Sequence, residues 1–369
     1  MIAALLRHQQ LSRSALSQIT GLSHAAITDV SQVFLQSGLI VELASMVTER
    51  RRGRPMLQLA LQPSHAYFLG IGVAESAMLM VITDLRGRVL ERQSLPLCAT
   101  PEKLVDAVRT AFLEILKSAA VPRSCVQGVG ITVTGIVDAV AGVCRYSAAL
   151  NWHEVPVAKL IGEGLGLPAW VDNDANAVAV GEKFFGHARD YQHFTSIILG
   201  RTIGAAHYMH DMLYRGYDGG AGEIGHITMN PNGTLCRCGR KGCLDTISGG
   251  AALREAANEA GIPVGGMREL EELAVQGNPT AAKLLRHAGN SLGIAVASLV
   301  HVTNPQCVLF TDMEGFENGV FRTATRQAIE NNILPRFLGS TQIIFSNADL
   351  SLLPRSAASI AALEYLTSL

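Results

Sequence analysis

Three of the seven cysteines of this 369-residue chain fall within the eight residues Cys236-Arg-Cys-Gly-Arg-Lys-Gly-Cys243, and His226 stands ten residues ahead of the first of them. No other feature restricts the chain so tightly. Three thiols and an imidazole in one glycine-punctuated loop call for an ion at their centre or for redox pairing. Thiolate sulfur and imidazole nitrogen are what zinc takes tetrahedrally in a closed structural site. A Cys-x-Cys pair beside a third cysteine and a histidine suits a redox couple less well. The expectation is one structural Zn2+ held by His226, Cys236, Cys238 and Cys243, in a loop spanning 226–243. The scattered Cys98, Cys125, Cys144 and Cys307 read as small buried apolar residues.

Hydrophobic residues make up 48% of the chain and charged ones 17%, enough to fill two or more cores and to set disorder aside. The apolar run Met1-Ile-Ala-Ala-Leu-Leu-Arg7 is too short for a secretory signal, and no later stretch gives about twenty uninterrupted apolar residues. A cytoplasmic protein with no membrane insertion is the expectation, and it agrees with clustered thiols serving a metal.

Charge is uneven along the chain. Residues 1–60 hold six arginines (7, 13, 50, 51, 52 and 54), no lysine and the acids Asp29, Glu42 and Glu49, a balance of +3, which leaves −4 for the rest out of the total of −1. The local pattern gives that basic end a shape. Ser12 and Ser23 are placed as N-caps of two helices separated by a break at Gly21. In the second helix Ala26, Ile27, Val30, Val33 and Phe34 form the expected buried stripe. Ser23 at the helix start and His24, Ala25 and Thr28 off the stripe are the candidates for base edges and phosphates in a major groove. Two short strands, in LIVELASMV and MLQLAL, flank TERRRGRP, so Arg50, Arg51, Arg52 and Arg54 are expected at the tip of a wing that suits a minor groove. Residues 1–62 thus read as a winged helix-turn-helix that binds double-stranded operator DNA.

From about Tyr67 the texture changes to alternating buried strands and helices, an α/β body over 63–369 in which a strand-rich start recurs in each half, as two lobes around a cleft would require. LPAWVDNDANAVAVGEKFFG gives a strand, an acidic turn and a helix. Asp172, Asn173, Asp174 and Asn176 could simply cap that helix. The carboxyl end of a strand is also where α/β ligands bind, and an Asp beside an Asn suits the adjacent hydroxyls of a sugar. In an enzyme the same Asp would be the base for phosphoryl transfer.

GVGITVTGIVD, LPAWVDNDANAVAVGEKFFG and GGAGEIGHITMN...CRCGRKGCLD together resemble the ROK family of bacterial repressors and sugar kinases, and the basic amino-terminal module with its Gly-Arg-Pro wing is similar to the repressor branch. The resemblance implies an actin-like or hexokinase-like two-lobed ATPase fold, structural zinc on His226, Cys236, Cys238 and Cys243, and a sugar facing Asn173, Asp174, Glu223 and His226. The family's Glu two residues after the last cysteine is here Asp245, one methylene shorter, whose reach to a sugar hydroxyl would go through water.

The same resemblance frames the kinase question. Phosphate loops need glycine because ATP phosphates lie against backbone N–H groups. Where the ROK kinases resemble Asp-x-Gly-Gly-Thr, this chain has Gly72 and Glu75; the second loop reads Gly200-Arg-Thr-Ile-Gly204; the Gly-Gly after Asn304-Pro305 is Thr311-Asp312. The expectation is a non-catalytic, kinase-like sensor: a sugar-responsive regulator, most simply a repressor, acting on operator DNA as a homodimer or dimer of dimers and answering a sugar or sugar phosphate. The alternatives are an ATP-dependent sugar kinase that also carries a DNA-binding domain, and a regulator answering a protein partner.

Overall fold

The computed structural model describes residues 1–44, 57–74, 78–96, 98, 100–316 and 319–369. Helix α1 (Ile2–His8) leads into strand β1 (Gln10–Ser12), then α2 (Arg13–Thr20) and α3 (His24–Gln36), then strands β2 (Ile40–Ala44) and β3 (Leu57–Leu61). Ser12 caps α2 by accepting from Ala15 N at 3.1 Å, and Ser23 caps α3 from Ala26 N at 3.2 Å. Gly21 ends α2 at φ 71°, a conformation a side chain would strain, and turns the chain between the helices. β2 and β3 pair antiparallel from Ile40↔Leu61 to Ala44↔Leu57, and β1, which the sequence pattern did not suggest, adds to β3. The arginines at 50, 51, 52 and 54 lie outside the described residues.

One expectation for α3 needs correcting. Ile27 and Ser31 are its buried residues, whereas Val30 is 37% and Val33 61% exposed. The inward row runs Ile27, Ser31, Phe34, and the polar Ser31 belongs in it because Arg13 Nε donates to its hydroxyl at 3.2 Å while that hydroxyl donates to Thr28 O.

The first lobe begins with β4 (Tyr67–Val73), β5 (Met78–Asp84) and β6 (Val89–Leu95), and continues through α4 (Pro101–Ser118), β7 (Val126–Val133), β8 (Ile136–Asp138), β9 (Val143–Ser147), β10 (Trp152–Val155), α5 (Val157–Leu165) and β11 (Ala169–Asn173). Its main sheet runs β11-β7-β4-β5-β6, with β8, β9 and β10 forming a small separate sheet. Helix α6 (Asp174–Phe185) crosses to the second lobe: β12 (Phe194–Leu199), β13 (Ile203–Met209), β14 (Met212–Tyr214), α7 (Asp245–Ser248), α8 (Gly250–Glu259), α9 (Met267–Val275), α10 (Pro279–Thr303), β15 (Cys307–Asp312), α11 (Val320–Asn332) and β16 (Gln342–Asn347). Its sheet runs β14-β13-β12-β15-β16.

The last helix, α12 (Leu352–Thr367), returns to the first lobe. It fits because glycine stands where it touches the sheet: a Cβ on Gly70 would lie 1.8 Å from Pro354 O, and one on Gly130 1.8 Å from Ala357 O. One apolar cluster covers the outer face of each lobe, and α6 packs with α12 between the two sheets. A further cluster joins Leu5, Leu16, Ile27 and Leu59 to Phe68, Leu85 and, on α12, Ala358 and Ala361. The boundary expected after residue 62 thus falls inside a shared core. Cys144 and Cys307 are buried as expected; Cys98 and Cys125 are only partly so. Among the described residues, no helix is long and apolar enough to cross a membrane.

Candidate effector and metal site

The junction of β11 and α6 places the acidic turn at the cleft. Asn173 is the N-cap: its Oδ1 accepts from Ala175 N at 2.8 Å and Asn176 N at 3.4 Å, and its Nδ2 donates to Gly135 O at 2.7 Å. Capping, the plainer of the two roles open to it, is therefore realised. Asp174 is half-buried, with Thr134 Oγ1 donating to its Oδ2 at 2.9 Å and Ala175 N to its Oδ1. Burial pushes its carboxyl above the usual range, and those two hydrogen bonds and the Arg237 charge oppose the rise. Asp172 is 1% exposed; its Oδ1 accepts from Asn176 Nδ2 and from Asn173 N, and its Oδ2 pairs with Arg215 at 2.6 Å and 3.1 Å. Because Arg215 follows β14 and Asp172 ends β11, the pair ties one lobe to the other.

Across the cleft, the segment after Arg215 carries Glu223 and then His226. Glu223 Oε2 lies 3.7 Å from His226 Nε2, while His226 Nδ1 lies 3.6 Å from Cys236 Sγ. The ring therefore turns one nitrogen to the cysteines and the other to a carboxylate, the arrangement that orients a metal-bound imidazole. Donor atoms of His226, Cys236, Cys238 and Cys243 all lie within 4.8 Å of one another, and Cys238 and Cys243 sulfurs are 3.6 Å apart. Two thiolates about 2.3 Å from a tetrahedral zinc would stand about 3.8 Å apart, so the four residues fit one such ion. Burial and the neighbouring sulfurs push the Cys243 thiol up to about 12, which a cation among the three would reverse.

Asp245, the first residue of α7, is 9% exposed, and its Oδ1 accepts from Ile203 N at 2.9 Å, bracing the turn between β12 and β13. Desolvation raises both Asp245 and Glu223; the Glu223 carboxyl also feels His226, Asp174, Arg237 and Asp245. Asp174, Glu223, His226 and Asp245 are thus brought together. Arg237, which the sequence reading passed over, is the cation common to the three carboxyls. Its position between Cys236 and Cys238 was the available signal. Arg215 carried none beyond being a cation eight residues ahead of Glu223.

At the carboxyl ends of β12 and β15, polar groups are paired within the protein. Asp312 accepts from Glu314 N and Gly315 N at 2.9 Å each, and its Oδ2 pairs at 3.1 Å with Arg322, which also donates to Asn347. At the start of α8, Gly250 N and Ala251 N donate at 3.0 Å to the carbonyls of Gly200 and Arg201. A Cβ on Gly250 would lie 2.8 Å from the Glu314 carboxyl carbon, so an acid fills the space over that helix end. Glu75 lies outside the described residues. At the other end of the chain, Ser23, His24, Ala25 and Thr28 are all exposed along α3.

The ROK family model matches residues 68–350, the greater part of the chain. The chain belongs to the ROK family. Within it, a putative xylose repressor of Caldicellulosiruptor is 27% identical over 344 residues, covering 89% of this chain and 86% of the relative. A glucokinase of Thermotoga maritima is 29% identical over 260 residues, 66% of this chain and 80% of its own. Among solved structures, a ROK-family transcriptional regulator described as a homologue of the E. coli MLC protein superposes with a TM-score of 0.80 at 24% identity, over 96% of this chain and 91% of its own. The body has the actin-like, hexokinase-like ROK fold. The repressor match covers 89% of the chain, whereas the kinase match covers 66% of it.

Proposed function

We propose that this ROK protein is a sugar-responsive transcriptional repressor whose kinase-like body senses and does not phosphorylate its ligand. The observation that carries the reading is the contrast between the two sides of the cleft. Asp174, Glu223, His226 and Asp245 converge on one side, as hydroxyl recognition requires, while Asp312–Arg322 and Glu314 occupy the other, where a triphosphate would need bare backbone N–H groups. In this reading Asn173 holds Asp174 at the mouth of α6, and Asp245 reaches the sugar with its second oxygen or through water.

Zn2+ on His226, Cys236, Cys238 and Cys243 supplies structural cross-linking of the loop. Glu223, on the outer nitrogen of His226, then joins metal loop and sugar. Residues 1–62 act as a winged helix-turn-helix, with Ser23, His24, Ala25 and Thr28 entering the major groove and Arg50, Arg51, Arg52 and Arg54 the minor groove. A homodimer would match paired half-sites about one helical turn or a multiple apart. The match to a putative xylose repressor over 89% of the chain supports this assignment.

Retention of Asp174 on Thr134 favours the second reading, an active sugar kinase. A coupled ADP-release assay across hexoses and pentoses separates the two. No turnover, with calorimetric binding of a sugar that alters operator affinity, is the expected result. Turnover abolished by Asp174→Asn would replace the sensor with an enzyme. Linkage adds a quantitative check: the factor by which sugar changes operator affinity must equal the factor by which operator changes sugar affinity.

A further inference from the structure

At the opposite end of α6 from Asn173, where the helix meets α1, lies a cavity of about 130 Å³ that neither sugar nor DNA recognition uses. Its walls include Leu5 and Leu6 of α1 and Phe184 and Phe185 of α6; Arg86 and Arg189 also line it, and no carboxylate does. The acids nearest in sequence are engaged elsewhere. Asp84 accepts from the backbone N–H groups of Arg86 and Arg88 and pairs with the Arg88 side chain, while Asp190 pairs with Arg7. Arg189 donates one nitrogen to Phe185 O, but its Nε is buried with no hydrogen-bond partner. A buried donor left unpaired is destabilising, and two guanidiniums beside one cavity repel each other. An anion between the two guanidiniums removes that repulsion. The apolar part sets the size: an apolar cavity of about 150 Å³ lined by Leu, Ile and Phe takes up benzene.

We propose that this cavity binds a small organic anion, a carboxylate on a single-ring or branched apolar body, with the body between Leu5–Leu6 and Phe184–Phe185 and the carboxylate on Arg86 and Arg189. Such a ligand would touch the amino-terminal module and the body at once and hold α1 against α6. It is a second input to the molecule, separate from the sugar cleft.

Benzoate is the probe, titrated calorimetrically into the full-length, zinc-loaded protein, with benzyl alcohol as the uncharged ring of the same size and inorganic phosphate as the anion without a ring. Saturable benzoate binding that raises the melting temperature is expected, with benzyl alcohol and phosphate each at least about tenfold weaker. Arg86→Gln, at a partly exposed turn, is expected to weaken benzoate by about fivefold or more while leaving the unliganded melting temperature nearly unchanged. Arg189→Gln is expected to do the same if it folds, and Leu6→Trp, which fills the cavity, to abolish binding. Absence of saturable benzoate binding overturns the proposal. So does equal affinity for benzyl alcohol or phosphate, or benzoate affinity unchanged by Arg86→Gln. None of these results bears on the sugar titration, so the two readings fail separately.

Discussion

Asp312 and Arg322 form an ion pair in which the side chains are 0% and 9% exposed, and both are engaged further, since Asp312 holds two backbone N–H groups and Arg322 reaches Asn347. Breaking a buried pair leaves an uncompensated charge, so Arg322→Ala should cost about 3–5 kcal/mol in urea unfolding. Asp312→Asn combined with Arg322→Met keeps an oxygen for Glu314 and Gly315, removes both charges, and should recover most of the loss. A double variant no better than Arg322→Ala would mean that the pair is not what closes this side of the cleft. The thiols offer a second check at this scale. Burial holds Cys144 up at about 11 and Cys307 at about 12, far above neutral pH, so both stay protonated and unreactive. With zinc holding the three clustered thiols, iodoacetamide at about pH 8, read by peptide mass spectrometry, should label the partly buried Cys98 and Cys125 before Cys144 and Cys307, which it should reach only on unfolding. The clustering of His226, Cys236, Cys238 and Cys243 was legible residue by residue, because donor type, count and spacing alone bring it out. Arg322, ten residues beyond Asp312, was not, because nothing in one strand reveals which helix supplies its counter-charge.

The loop 226–243 contains little regular structure, and its two ends carry Glu223 and Asp245 into the cleft. An isolated β-bridge between Thr228 and Cys243 and another between Leu235 and Lys241 are its regular pairings among the described residues. The metal is therefore expected to supply much of its order. Stripping the ion with a chelator should lower the melting temperature and abolish sugar binding, and added zinc should restore both; sugar affinity unchanged in metal-free protein would separate the loop from the effector site. The helices were recovered well from periodicity and caps: Ser12, Gly21 and Ser23 mark their ends by local hydrogen bonding, which neighbouring residues decide. The inward stripe of α3 was misjudged at Val30 and Val33, because an apolar residue on the flank of a helix is buried only if a neighbour arrives to cover it. β1 escaped notice for a related reason, since three residues carry no period and exist as a strand only by pairing with β3.

At the scale of the molecule, α6 has one end at Asp174 and the other against α1, and Arg215–Asp172 fastens the segment leading to Glu223 onto the strand leading to α6. Arg215→Ala should lower stability by about 2 kcal/mol, less than for a fully buried pair because the Arg215 side chain is 37% exposed, and should weaken sugar binding about tenfold. Arg215→Lys, which keeps charge but not the fork, should fall between them. Calorimetry with unchanged sugar affinity in both variants would show that the two lobes are not held in register by this pair.

What the sequence determined by itself was carried by near neighbours: the caps, the strand and helix periods, the clustering of His226 with three cysteines, and the residues standing where the kinases' phosphate loops carry glycine. Each depends on residue types a few positions apart, where chain connectivity fixes the geometry. Only the tertiary structure decided the partners of Asp172 and Asp312, the convergence of Arg237 on three carboxyls, and the core shared by the amino-terminal module and α12. Most of those are contacts between separate elements of the chain, some only about ten residues apart and others hundreds, and their strength comes from burial and charge pairing, which exist only once the sheets and helices have packed.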